Sequence, residues 1–195
     1  TNISNHPADD FSPVWSPDGR YLAFISVRDS NVEILLHEVE TGVLINISNH
    51  IRDDFDPVWS PDGKRIAFVS TRDNDGSEIY VADIETRQLR NLSRSASDDL
   101  SPVWSPDGEH IAFVSMRQNN IEVYVVEVES GELRNISDHP AEDRHPLWSP
   151  DGKHLIFQSN RHHTQGIYAY AVVSGRLSRL FDGRRIEEAM YWRPE

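Results

Sequence analysis

The heptapeptide Pro-Val-Trp-Ser-Pro-Asp-Gly stands unbroken at residues 13–19, 57–63 and 102–108, and returns as Pro-Leu-Trp-Ser-Pro-Asp-Gly at 146–152. The five tryptophans, Trp15, Trp59, Trp104, Trp148 and Trp192, follow one another at intervals of 44, 45, 44 and 44 residues. So regular a period means one structural unit copied several times, and it constrains the fold before any other feature does.

Each unit reads as four short strands. The first ends on the Pro-Val-Trp-Ser run, as in residues 11–16. Ser-Pro-Asp-Gly then makes a tight hairpin: proline presets φ, aspartate suits the next turn position, and glycine takes the left-handed one. The second strands, 21–26, 65–70, 110–115 and 154–159, are apolar on both alternating faces, as in Ile66-Ala67-Phe68-Val69. Strands covered on both sides have that pattern. Third strands are read at 33–39, 78–84, 122–128 and 167–172, and fourth strands at 43–48, 88–93, 132–137 and 176–181. No segment sustains a helical period.

Four short antiparallel strands per unit of about 44 residues describe a propeller blade. The expected fold is an all-β propeller domain with units at 11–54, 55–98, 99–143 and 144–187. Lone strands are expected at 1–4 and 188–192. Four full blades plus two single strands fit a partial ring, a piece of a larger propeller, or a ring completed by a second copy. An uncovered blade face makes self-association an expected property.

The 195 residues contain no cysteine, which excludes disulfides, thiolate catalysis and cysteine–zinc sites. A formal net charge of −13 disfavours nucleic acid and anionic lipid and favours cations or a basic partner. No apolar run reaches the roughly 20 residues needed to cross a bilayer. Glycine-rich phosphate loops, the Gly-x-Ser-x-Gly elbow and His-Glu-x-x-His are missing, so no enzyme activity is expected.

The most chemically suggestive stretch leads into each first strand. It carries Asp9-Asp10, Asp53-Asp54, Asp98-Asp99 and Glu142-Asp143. Equivalent loops of a propeller share one end face, so these acids are expected to ring a channel mouth. There they would bind a basic peptide or protein, or calcium or another hard cation. Arg28, Arg72, Arg117 and Arg161 recur just as regularly after the second strands. An Asp–Arg pair tying the strand ends together would use one acid of each pair and leave the other for ligands. His6, His50 and His139 share a position that Ser95 takes in the third unit; a turn role and a pH-sensitive or metal-binding role are both open to them. His162-His163 reads as an exposed loop pair, with an isolated metal or partner contact open to it, and Asp73-Asn74-Asp75-Gly76 as a hairpin-type turn, since it lacks the spacing and terminal glutamate of an EF-hand calcium loop. Asn2-Ile3-Ser4 and its copies at 46–48, 91–93 and 135–137 read as strand ends whose asparagine bonds local backbone.

The repeat Pro-x-Trp-Ser-Pro-Asp-Gly-x-x-Ile-Ala-Phe-x-Ser-x-Arg, followed by Ile-Tyr-Val and Leu-x-Asn-Leu-Ser, resembles the TolB-type, WD-repeat-like propeller repeat. It is clearest at 57–70 with Arg72 and Ile79-Tyr80-Val81. The resemblance covers essentially the whole chain. It implies a bacterial protein and favours a periplasmic or extracellular location, with a cytoplasmic one open; the repeated acidic loops together with the missing catalytic motifs make a non-catalytic interaction scaffold the expected role. Related propellers stand beside peptidase domains, and some are lyases that hold a metal with channel histidines, which would make His6, His50 and His139 the ligands. A purely structural, self-assembling module is a further reading.

Overall fold

The computed structural model describes residues 2–28, 30–73 and 76–181. The chain divides into two compact units, Thr1–Ala96 and Ser97–Glu195. The first holds β1 (Asp10–Trp15), β2 (Tyr21–Arg28), β3 (Asn31–Glu38) and β4 (Leu44–Asn46), then β5 (Asp54–Trp59), β6 (Arg65–Ser70), β7 (Glu78–Asp83) and β8 (Leu89–Asn91). The second holds β9 (Asp99–Trp104), β10 (His110–Ser115), β11 (Glu122–Glu127) and β12 (Leu133–Asn135), then β13 (Asp143–Trp148), β14 (His154–Ser159), β15 (Gly166–Ala171) and β16 (Arg176–Phe181). Each group of four is one antiparallel sheet whose strands pair in chain order. These are the four blades. Helical structure among the described residues is a single 3-10 turn, Arg117–Asn119. No helix there is long and apolar enough to cross a membrane.

The Ser-Pro-Asp-Gly hairpins form as their chemistry dictates. Gly19, Gly63, Gly108 and Gly152 have φ between 68° and 72°, and each N–H bonds the serine carbonyl three residues back at 2.9 Å. The serine hydroxyl donates to the aspartate, as in Ser60 Oγ to Asp62 Oδ1 at 2.6 Å. That bond is the largest influence holding Asp18 and Asp151 below the ordinary carboxylate range; in Asp62 and Asp107 it opposes burial, and the bonds outweigh it. Consecutive turns also nest, since a side chain on Gly63 would stand 3.5 Å from Pro17 Cδ.

Two features depart from the expected strands. Every first strand carries a bulge before its proline, with Ser12, Asp56, Ser101 and His145 at φ of 53° to 56°. Proline has no N–H to give the ladder, and bulges are where strands accommodate it. The fourth strands of the first three blades shrink to three residues. Asn46 Oδ1 accepts the Asn49 N–H at 2.8 Å and turns the chain early; Asn91 and Asn135 bond the Arg94 and Asp138 N–H groups, each at 3.0 Å. Asn2 does the same to Ser4 and Asn5 at 3.1 and 3.3 Å. Residues 2–4 therefore form no strand, contrary to the expected strand at 1–4. The strand expected at 188–192 lies outside the described residues.

Cores lie between paired blades. In the first unit Ala23, Ile34, Leu36 and Ile47 meet Trp59, Ile66, Phe68 and Ile84. In the second Ala112, Val123, Val125 and Ile136 meet Trp148, Leu155, Phe157 and Tyr168. Each seam is pinned by an indole N–H: Trp59 Nε1 donates to the Val14 carbonyl at 3.2 Å, and Trp148 Nε1 to that of Val103 at 3.3 Å. Trp59, Trp104 and Trp148 are buried, whereas Trp15 is 58% exposed. Phe68, Phe113 and Phe157 are fully buried and stack on Tyr80, Tyr124 and Tyr168 at centroid distances of 6.0, 6.0 and 6.1 Å. Burying such a ring contributes roughly 1.5–3 kcal/mol.

Candidate interaction site

The loops leading into β1, β5, β9 and β13 are built from the strand ends outward. After the asparagine turn, Asn5, Asn49, Arg94 and Asp138 adopt φ of 35° to 46°. The next N–H, of His50, Ser95 or His139, donates to a glutamate opening the preceding third strand: Glu33 at 3.1 Å, Glu78 at 2.7 Å and Glu122 at 3.1 Å. These glutamates are buried, and each accepts a hydroxyl from Ser48, Ser93 or Ser137. Those hydroxyls in turn accept the N–H groups of Ile34, Ile79 and Val123 at 3.0, 2.9 and 2.9 Å. Burial pushes the Glu122 carboxyl above its ordinary range despite these bonds, and nearby Asp143 adds to the effect.

The three recurrent histidines cap their own turns. Nδ1 of His6, His50 and His139 accepts the N–H two residues on, from Ala8, Arg52 and Ala141 at 3.1, 3.2 and 3.0 Å. Nδ1 is thus occupied, and a metal would have to be held through Nε2. Among the described residues the group that brings three or more His, Asp or Glu ligand atoms within 4.8 Å of one another is Asp107, Glu109 and His110. It sits on a Ser-Pro-Asp-Gly hairpin, where Asp107 Oδ1 already accepts the Glu109 N–H at 2.9 Å. His162 and His163 are exposed, and the His162 ring lies 6.3 Å from that of Tyr168. Asp73 accepts the Tyr80 hydroxyl and the Asn91 amide; burial first, then that carboxylate, raises the Tyr80 pKa to about 12. Asn74 and Asp75 lie outside the described residues.

The paired acids divide by position. Asp54, Asp99 and Asp143 are wholly buried and bond Arg72, Arg117 and Arg161 at 3.0, 2.9 and 3.0 Å. Each arginine also reaches back to a serine on its own second strand, with Arg72 Nε 2.7 Å from Ser70 Oγ. Arg72 and Arg161 lie over Tyr80 and Tyr168, both at 4.6 Å, and donate across the seam to the Ser48 and Ser137 carbonyls at 3.2 and 3.3 Å. In the first blade the pair is looser: Arg28 stands 4.0 Å from Asp10, with both side chains partly exposed.

The acid preceding each of these, Asp9, Asp53, Asp98 or Glu142, is exposed. Its carbonyl is nevertheless pinned to the end of β2 or to the chain leaving β6, β10 or β14, accepting from Val27, Thr71, Met116 and Asn160 at 3.0, 3.0, 2.9 and 3.3 Å. Asp53 Oδ1 caps the Val32 N–H at 3.1 Å, and Glu142 meets exposed Arg144 at 3.2 Å. The result is one solvent-facing carboxylate per blade on a backbone tied to the sheet. Such groups attract cations and basic side chains without having to be ordered first.

A family model described as the TolB beta propeller domain matches residues 2–121 and 74–194. Among solved structures, TolB from Acinetobacter baumannii is 23% identical, with a TM-score of 0.68 over 90% of this chain and 44% of that one. The putative TolB from Agrobacterium tumefaciens is 22% identical, with a TM-score of 0.64 over 91% of this chain and 82% of that one. A puromycin-hydrolyzing peptidase of Mycobacterium tuberculosis gives a TM-score of 0.71 at 17% identity, over 89% of this chain and 31% of that one. No curated protein matches in sequence. The chain spans less than half the length of the Acinetobacter protein.

Proposed function

The chain belongs to the TolB β-propeller family, and from that premise we propose that it is a non-catalytic interaction scaffold that docks a basic protein or peptide on its exposed lead-in acids. The observation that carries this reading is the division of labour within each acidic pair. In three of the four blades one carboxylate is buried and held by an arginine, more loosely so in the first blade; its neighbour faces solvent on a pinned loop in every blade. Repetition of the same polar group supports a binding face better than a catalytic centre, whose residues are singular. A net charge of −13 would steer a basic partner toward it. A periplasmic or extracellular location goes with this reading through the family.

Replacing Asp9, Asp53, Asp98 and Glu142 with lysine tests it, with decalysine peptide as the probe. Exposed ion pairs contribute about 0.2–1 kcal/mol each, so four reversals should weaken binding at low salt by about tenfold or more. Affinity of the wild type should also fall steeply as salt is raised. Equal affinity in the wild type and the fourfold variant would remove these loops from the account.

A further inference from the structure

The two units build the same blade seam with different residues, and in the second unit the difference opens a cavity against the seam tryptophan. In the first unit Ile45, opposite Leu36 in the ladder, packs into the seam core. Tyr21, opposite Glu38, stacks on Trp59 at 6.1 Å and donates its hydroxyl to Glu38 Oε1 at 3.3 Å. In the second unit the register is identical, but Arg134 stands opposite Val125 and His110 opposite Glu127. Arg134 is largely exposed and held by Glu132, its Nε and Nη2 bonding Glu132 Oε1 at 2.9 and 2.6 Å, and this ion pair lines the seam where Ile45 packs in the first unit. His110 is shorter than tyrosine and tilts at 41° to Trp148. What remains is a cavity of about 170 Å³ with Trp148, Leu155 and Ile136 in its lining and Glu127 among its walls. Tyr170, paired with Leu155 where the first unit pairs Ala82 with Ile66, adds a second aromatic wall.

We propose that this seam is a binding site for small aromatic amines. The first unit supplies the template within its own chain: an aromatic ring laid on the seam tryptophan, with a donor group at its far end bonded to the seam glutamate. In the second unit the smaller imidazole of His110 holds that place, its centroid 6.3 Å from that of Trp148, and the glutamate is still in place across the ladder. A cavity of roughly 150 Å³ takes a benzene-sized ring where its walls are apolar, as Val125, Ile136, Leu155 and Trp148 are here, and an ammonium group extending from such a ring meets the polar wall of Glu127 and Glu132, whose two carboxylates outnumber the guanidinium of Arg134. Two aromatic walls favour the ring, and a cation near their faces adds to the attraction. The acidic protein as a whole favours a cation over an anion of the same shape.

Phenethylamine is the probe, and the indole N–H resonance of Trp148 in a ¹⁵N-labelled sample is the readout. Phenethylamine should shift this resonance with a dissociation constant on the order of 1 mM, the range for a ligand of this size. The isosteric anion 3-phenylpropionate should bind at least tenfold more weakly. The double variant His110→Tyr with Arg134→Ile carries the residues that fill these positions in the first unit, and should lose the site by tenfold or more. Glu127→Gln should abolish the preference for the amine over the acid, and it carries the test by itself if the double variant does not fold. No shift with phenethylamine, equal binding of the two probes to the wild type, undiminished binding by a folded double variant, or an amine preference surviving in Glu127→Gln would each overturn the proposal.

Discussion

Arg161→Ala should destabilise the protein by about 3–5 kcal/mol, the usual cost of removing one partner of a buried ion pair. Arg161 bonds both oxygens of Asp143 at 3.0 Å, the Ser159 hydroxyl at 2.9 Å and the Ser137 carbonyl of the neighbouring blade at 3.3 Å, and lies over Tyr168. Without it a carboxylate with no solvent exposure faces no countercharge. The loss should appear as a lower urea midpoint. Adding Asp143→Asn to the variant should recover part of it, because a neutral amide costs less to bury than an unpaired anion. A loss below about 1 kcal/mol, the range of solvent-screened surface pairs, would mean that the pair is not shielded as the structure has it.

Phe113→Ala should cost a comparable amount, about 3–5 kcal/mol, for a different reason. Phe113 is fully buried on the middle strand β10 and stacks on Tyr124 at 6.0 Å with an interplanar angle of 24°. Truncation removes the ring's transfer energy and leaves a void that the strands can close only in part, since β10 is paired with β11 through Phe113 itself and with β9 on both sides of the bulge. Chemical denaturation with an unchanged m-value is the measurement. A change under 1 kcal/mol would show that the site collapses freely and that the blade is not packed as described.

Much of this architecture is written plainly in the chain. Ser-Pro-Asp-Gly has one good conformation, so the hairpins could be placed before any coordinates. Runs such as Ile66-Ala67-Phe68-Val69 need cover on two faces, and that requirement leads directly to stacked sheets. The constant 18-residue step from Asp54 to Arg72, Asp99 to Arg117 and Asp143 to Arg161 anticipated a tie between strand ends. Other features were hidden because they depend on what a residue meets in space. Glu33, Glu78 and Glu122 look like ordinary polar strand starts, yet each is buried under the next loop and receives its serine hydroxyl and backbone N–H. Pro13, Pro57, Pro102 and Pro146 held the signal for the first-strand bulges, but within the Pro-Val-Trp-Ser run they read as residues of an ordinary strand. The seam cavity comes from two positions 24 residues apart, His110 and Arg134, that meet only once β10, β11 and β12 are paired.

The central claim is that of two adjacent acids one holds the blade and the other faces the partner. The most direct test compares Glu142→Lys with Asp143→Lys, measuring the urea midpoint and decalysine affinity of each. Glu142→Lys should leave the midpoint within about 0.5 kcal/mol of wild type, as for ordinary surface changes, and weaken decalysine binding. Asp143→Lys should set two cations face to face in a buried site and unfold or severely destabilise the protein. A well-folded Asp143→Lys that loses binding, beside a Glu142→Lys that binds normally, would contradict the claim outright.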